Sequence, residues 1–129
     1  MERIEQELAL LRQRYPDLEY HAEGQWVRLP AYPLPSGWNR PSTPVTFQIP
    51  VGYPGTPPYG FYVPAGLTFE GAVPNDYREP APSQPPFGGT SGIFSWTQDE
   101  GWRVTTDLTS SFTLINWVMG FAQRFRQGK

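Results

Sequence analysis

The sequence contains no cysteine, one histidine (His21) and one lysine (Lys129, its last residue). Without a thiol there is no disulfide framework, no zinc–thiolate site and no thioester chemistry. A lone histidine weakens any His-centred metal site or catalytic triad. A net charge of −2 carries no positive field for nucleic acid. No apolar run approaches the ~20 residues that span a bilayer. The opening Met-Glu-Arg-Ile-Glu-Gln-Glu is too charged for a secretory leader, so a cytoplasmic domain with no membrane partner is expected. The motifs of zinc proteases, P-loop nucleotide sites, nucleophile elbows and dinucleotide folds are all missing. Neither a metal nor a cofactor is expected.

What is present describes a folded chain. Its 129 residues suit one domain, 1–129, and 38% are hydrophobic, 16% aromatic and only 17% charged. Ile4, Leu8 and Leu11 recur at helical spacing, and Tyr15-Pro16 stops that helix because a residue before proline avoids helical geometry. From Tyr20 to about Phe69 the pattern turns to strands. Residues 25–29 and 44–49 alternate polar and apolar, and 60–63 and 66–69 are short, aromatic and β-branched. Residues 71–92 read as a long irregular loop, whose prolines at 80, 82, 85 and 86 oppose helix and ladder alike; a semi-rigid covering loop is the plainer expectation and a proline-rich ligand the other. The last segment, Leu108 to Gln127, predicts a long helix with Leu108, Phe112, Ile115, Met119 and Ala122 on one stripe, widened by Trp117, Val118, Phe121 and Phe125. Residues Thr105, Thr106 and Asp107 offer its N-cap. The expected class is α+β: a helix, an antiparallel meander of three or four strands, an irregular loop and a long C-terminal helix.

Few residues offer chemistry outright. Asp99 and Glu100 are adjacent carboxylates, a pattern typical of solvated charge rather than of an acid–base pair. His21 reads as a surface or cap residue. Most of the five Trp and seven Tyr fall on strand and helix patterns that build a core, which leaves little for stacking sugars or bases.

Residues 49–58 read Ile49-Pro50-Val51-Gly52-Tyr53-Pro54-Gly55-Thr56-Pro57-Pro58. A strand that ends in aliphatic-Pro-x-x-Tyr-Pro-x-x-Pro-Pro resembles the ubiquitin-conjugating (E2) superfamily, which includes RWD domains and non-catalytic variants. Such a corner is rigid because Pro54, Pro57 and Pro58 fix φ and the Tyr53 ring can seal the sheet edge over them. Order adds to the resemblance. Residues 5–16 are similar to the opening helix of RWD-type members. Val73-Pro74-Asn75 resembles the His-Pro-Asn before the E2 cysteine, with Val73 for His. Residues 91–95 occupy the place of the Gly-x-Ile-Cys segment, and Trp102 matches the tryptophan that follows it. The resemblance implies a UBC/RWD-like fold without the two extra C-terminal helices of conjugating enzymes. Residues 34–39 and 58–63 are most similar to prokaryotic E2 family E, found in bacterial operons with a ubiquitin-like protein, an E1-like adenylating enzyme and a peptidase. These are the partners the resemblance implies, in bacterial ubiquitin-like conjugation and phage defence.

The departure from that pattern bears on mechanism. The cysteine position falls on Phe94 without a gap, or on Ser95 with a one-residue slip. Phe94 cannot accept an acyl group. Ser95 can form an oxyester, but a hydroxyl is a weak nucleophile without a base, and Asp76, Asp99 and Glu100 are the nearest candidates. Asn75 either donates to an oxyanion, as the resemblance implies, or simply forms a turn after Pro74. Lys129 stands against nine arginines. Scarce amines suit a chain beside an activated acyl donor, GC-rich coding gives the same bias, and Lys129 can itself be an acceptor. The resemblance therefore implies a cysteine-less subunit that binds the modifier or the E1-like partner, with an oxyester enzyme on Ser95 and an RWD-type interaction module as the alternatives.

Overall fold

A computed structural model describes residues 3–53, 58–96 and 114–128. Helix α1 covers Arg3–Arg14, with Glu7, Leu8 and Leu11 buried, and ends where the sequence places Tyr15-Pro16. Six strands follow: β1 (Glu19–His21), β2 (Trp26–Pro33), β3 (Ser42–Gln48), β4 (Phe61–Pro64), β5 (Tyr77–Arg78) and β6 (Ser91–Phe94). Helix α2 covers Leu114–Gln127. The strands form one antiparallel sheet in the order β1-β2-β3-β4-β6-β5.

The α+β class and the antiparallel meander hold, but the strand count is six rather than three or four. Three strands lie outside the expected set: residues 19–21 ahead of the meander, and residues 77–78 and 91–94 inside or bordering the expected loop. Proline excludes ladder bonding only at its own nitrogen, and residues 77–78 and 91–94 contain none. Residues 66–69, expected as a strand, form none; Phe69 makes only isolated bridges to Trp38 and Ala72. In β2 the ladder slips between Leu29 and Tyr32, where Pro30 has no N–H to give. β1 pairs only Trp26–Arg28, so Pro30 and Pro33 lie where β2 has one open side.

One sheet face carries the core. Val27, Leu29, Val45, Phe47, Phe61, Val63 and Phe94 are each at most 1% exposed, and Trp117, Phe121 and Phe125 of α2 pack on them. The rings interlock edge to face and offset, as at Phe61–Phe121 with centroids 4.4 Å apart and Phe47–Phe121 at 5.9 Å. The stripe expected at Ile115, Met119 and Ala122 is not the buried one. Leu114, Trp117, Val118, Phe121 and Phe125 face the sheet, whereas Met119 is 46% exposed. Both stripes are apolar, and the one richer in aromatic area takes the core.

Gly37 and Gly92 are required by close approach. A Cβ at Gly37, where φ is +104°, would run into the Phe69 ring, and one at Gly92 would overlap the Tyr77 ring that lies across β6. On the other sheet face, residues 85–91 cover β2–β4 and enclose a cavity of about 230 Å³ with Arg28, Thr46, Tyr62 and Phe87. The proline-rich segment thus acts as a covering loop.

Candidate functional site

The residues singled out in the sequence gather at the β5–β6 end of the sheet. The turn before β5 buries Pro74 and leaves Asn75 and Asp76 exposed, with Asp76 at φ +53°. Tyr77 pairs with Phe94 and Arg78 with Ile93. The next rung is the Ser95 N–H donating to the Asp76 carbonyl at 2.7 Å. Asn75 and Ser95 therefore stand at the same end of one short hairpin, twenty residues apart in sequence.

Strand alternation decides which of the two cysteine-position candidates is reachable. Phe94 points inward and is 0% exposed, stacked on Phe61 at 5.0 Å and against Tyr77 at 4.8 Å. It is a core residue. Ser95 points outward and is exposed. Among the described residues no side chain hydrogen-bonds its hydroxyl, and His21 sits in β1 at the opposite edge of the sheet, where its Nδ1 meets the Glu23 carbonyl at 2.9 Å. His21 is therefore not placed to take a proton from Ser95. Asp99, Glu100 and Trp102 lie outside the described residues, as do Pro54 and Pro57.

Arg124 holds this hairpin from beneath. It is only 3% exposed, and its guanidinium donates to the Asn75 carbonyl at 2.7 Å and the Gly128 carbonyl at 3.0 Å while lying 4.8 Å over the Phe94 ring. Burial pulls its pKa down, and the Asp76 carboxylate opposes that pull. The turn that presents Asn75 is thus tied to the end of α2.

The Tyr53 corner is anchored by a residue the motif does not contain. The Tyr53 hydroxyl donates to Glu7 Oε1 at 2.5 Å, and the same oxygen accepts the Leu114 N–H at 2.7 Å. Arg3 Nε donates to Glu7 Oε2 at 2.8 Å. Burial, then the bond to Glu7, pushes the Tyr53 phenol far above its usual range. One carboxylate, 0% exposed, joins α1, the corner and the first turn of α2, where a helix N-terminus favours negative charge. At the corner's far end Pro58 is buried and the Gly60 N–H donates to the Trp96 carbonyl at 2.9 Å. The corner therefore ends one residue from Ser95.

Sequence reasoning missed Glu7, Arg124 and Trp38. The first two carry a signal: each is a charge inside an apolar stripe, Glu7 with Ile4, Leu8 and Leu11, and Arg124 between Phe121 and Phe125. Trp38 donates from its indole to the Phe125 carbonyl at 3.0 Å, a contact across 87 positions that local pattern cannot reveal. Among the described residues no group of three or more His, Asp or Glu side chains is placed to hold a metal ion, and no helix is long and apolar enough to cross a membrane.

No family model matches the chain, and neither a curated protein nor a solved structure matches it.

Proposed function

We propose that this chain is an E2-like component of a bacterial ubiquitin-like conjugation system that binds its partners without carrying the modifier as a thioester. The observation that carries this reading is an E2-like order of parts around a reaction position with no sulfur. A helix, an antiparallel meander, a Tyr-Pro corner, a Pro-Asn turn, a short hairpin and a long helix follow one another, and Phe94 fills the inward position with a buried ring. The closeness of the corner to that hairpin, through Gly60 and Trp96, supports it. The expected surface is the exposed end formed by the corner and the Asn75 turn, together with helix α1. There Val51, Tyr59 and Val73 are, among the described residues, the most exposed large apolar side chains. An interface of about 600–800 Å² per partner suits a transient complex with the ubiquitin-like protein or the E1-like enzyme. The operon's peptidase is a further candidate partner.

A second reading is favoured by one observation: Ser95 is exposed beside Asn75 on the same hairpin. In it, the Ser95 hydroxyl takes the modifier's acyl group from the E1 thioester, releasing the E1 thiol, and Asn75 donates to the oxyanion. The test mixes the protein with the E1-like enzyme, modifier and ATP and weighs it intact. The binding reading predicts an unchanged mass. A modifier-sized adduct that survives thiol reductant, yields to hydroxylamine and vanishes in Ser95→Ala would replace it with the oxyester enzyme. A protein that neither gains mass nor binds any of these partners would be an RWD-type module of some other assembly.

A further inference from the structure

Helices α1 and α2 lie side by side in the same direction, because Glu7 meets Leu114 near their starts while Arg14 and Arg126 flank one groove near their ends. The groove has a volume of about 590 Å³. Its wall is aromatic: Tyr15 and Tyr32 stack at 6.3 Å with 23° between their planes. The Tyr32 hydroxyl is already spent on the Val118 carbonyl at 2.7 Å and its ring is only 4% exposed, so the half-buried Tyr15 is the ring that the groove presents. Met119 lies on the same groove and is 46% exposed, the one large apolar side chain of the two helices that is so open among the described residues.

Arg14 and Arg126 are both exposed on the groove, and neither has an ion pair among the described residues. Every charged lining residue is an arginine, on a molecule whose net charge is −2. Both helices end here, and each C-terminus contributes a partial charge of about −0.5. Two full positive charges outweigh that, so the groove is locally positive. It suits an anion that also carries apolar surface.

We propose that this groove seats an acidic segment of a partner protein. One aromatic or aliphatic side chain of that segment lies against Tyr15 and Met119, and its flanking carboxylates pair with Arg14 and Arg126. A second copy of the chain fits less well, because an isologous contact would set these arginines against their own copies. Nucleic acid fits less well because two arginines neutralise too few phosphates. The inference goes beyond the conjugation reading and does not depend on it.

The test uses the single internal methionine as a reporter. Protein with ¹³C-methyl methionine is titrated with the peptide acetyl-Asp-Glu-Trp-Leu-Asp-Glu-amide, and with its counterpart carrying lysine at each acidic position. The proposal predicts a saturable shift of the Met119 methyl resonance with the acidic peptide, weakened by added salt, and no saturable shift with the basic one. The double variant Arg14→Gln, Arg126→Gln should fold with an unchanged Tm and bind roughly tenfold more weakly, as two exposed ion pairs dictate. Met119→Glu, followed by calorimetry, should abolish binding. Equal binding of the two peptides, no saturable shift with either, or full affinity in the double variant would overturn the proposal. A Met119 resonance that moves with protein concentration alone would assign the groove to a second copy and overturn it as well.

Discussion

Glu7 serves three donors from a site with no access to water: the Tyr53 hydroxyl, the Leu114 N–H and Arg3. Glu7→Ala removes this shared carboxylate from all three, and removing one partner of a buried charged network costs about 3 kcal/mol. For a domain of this size that is roughly 10 °C in Tm, readable by calorimetry. Glu7→Gln keeps a carbonyl oxygen for Tyr53 and Leu114 and should cost less than half as much; equal losses would show that packing, not hydrogen bonding, sets the effect. Ser95→Ala behaves oppositely. Its side chain is exposed and makes no hydrogen bond among the described residues, so the Tm should stay within error of the parent. A large fall there would make Ser95 a structural residue and remove the oxyester reading.

At the scale of elements, the β5–β6 hairpin is fastened by small features. Gly92 leaves room for the Tyr77 ring to cross β6, and Tyr77 donates to Glu79 Oε2 at 2.7 Å, which also accepts the Gly66 N–H at 3.0 Å. Gly92→Ala should displace Tyr77 and open this edge, seen as faster amide exchange at Ser95 and Ala81 with a smaller effect on α1. The Glu79 carboxyl is held below its ordinary value by the Gly66 N–H and then by Tyr77. A depressed carboxylate stabilises above its unfolded pKa and loses that contribution as pH falls. The Gly66 amide, which donates to this carboxylate, should therefore lose protection relative to its intrinsic exchange rate as pH drops below about 4.5, and protection that holds or rises there would contradict the staple.

Much of this element structure was legible in the sequence. The α1 stop at Tyr15-Pro16 and the alternation in 44–49 needed only local rules. The hairpin was hidden because a two-residue strand such as β5 has no period to detect, and its proline-rich surroundings argue for a loop. The choice between Phe94 and Ser95 could not be made by counting either. It needed the ladder, which turns Phe94 inward and Ser95 outward.

For the whole molecule, tyrosine phenols report compactness. Burial raises Tyr53, Tyr32 and Tyr77 well above the ordinary 10.0, helped at Tyr53 by Glu7 and at Tyr77 by Glu79. The folded state keeps these groups neutral while the unfolded chain ionises them near 10. Stability is thus intact below that pH and falls as pH rises past it. Thermal melts should show Tm constant up to about pH 9 and declining steeply by about pH 11. A flat profile would mean that the phenols reach water in the native state.

The account of the molecule as a thiol-free binder is tested most directly by calorimetry without ATP. A ubiquitin-like protein and an E1-like enzyme of a bacterial conjugation operon, the partners proposed above, are each titrated into it, and the titrations are repeated with Ser95→Ala. The prediction is a saturable complex with at least one of them, of the same affinity in both forms of the protein. Heat no greater than dilution for both partners would contradict it.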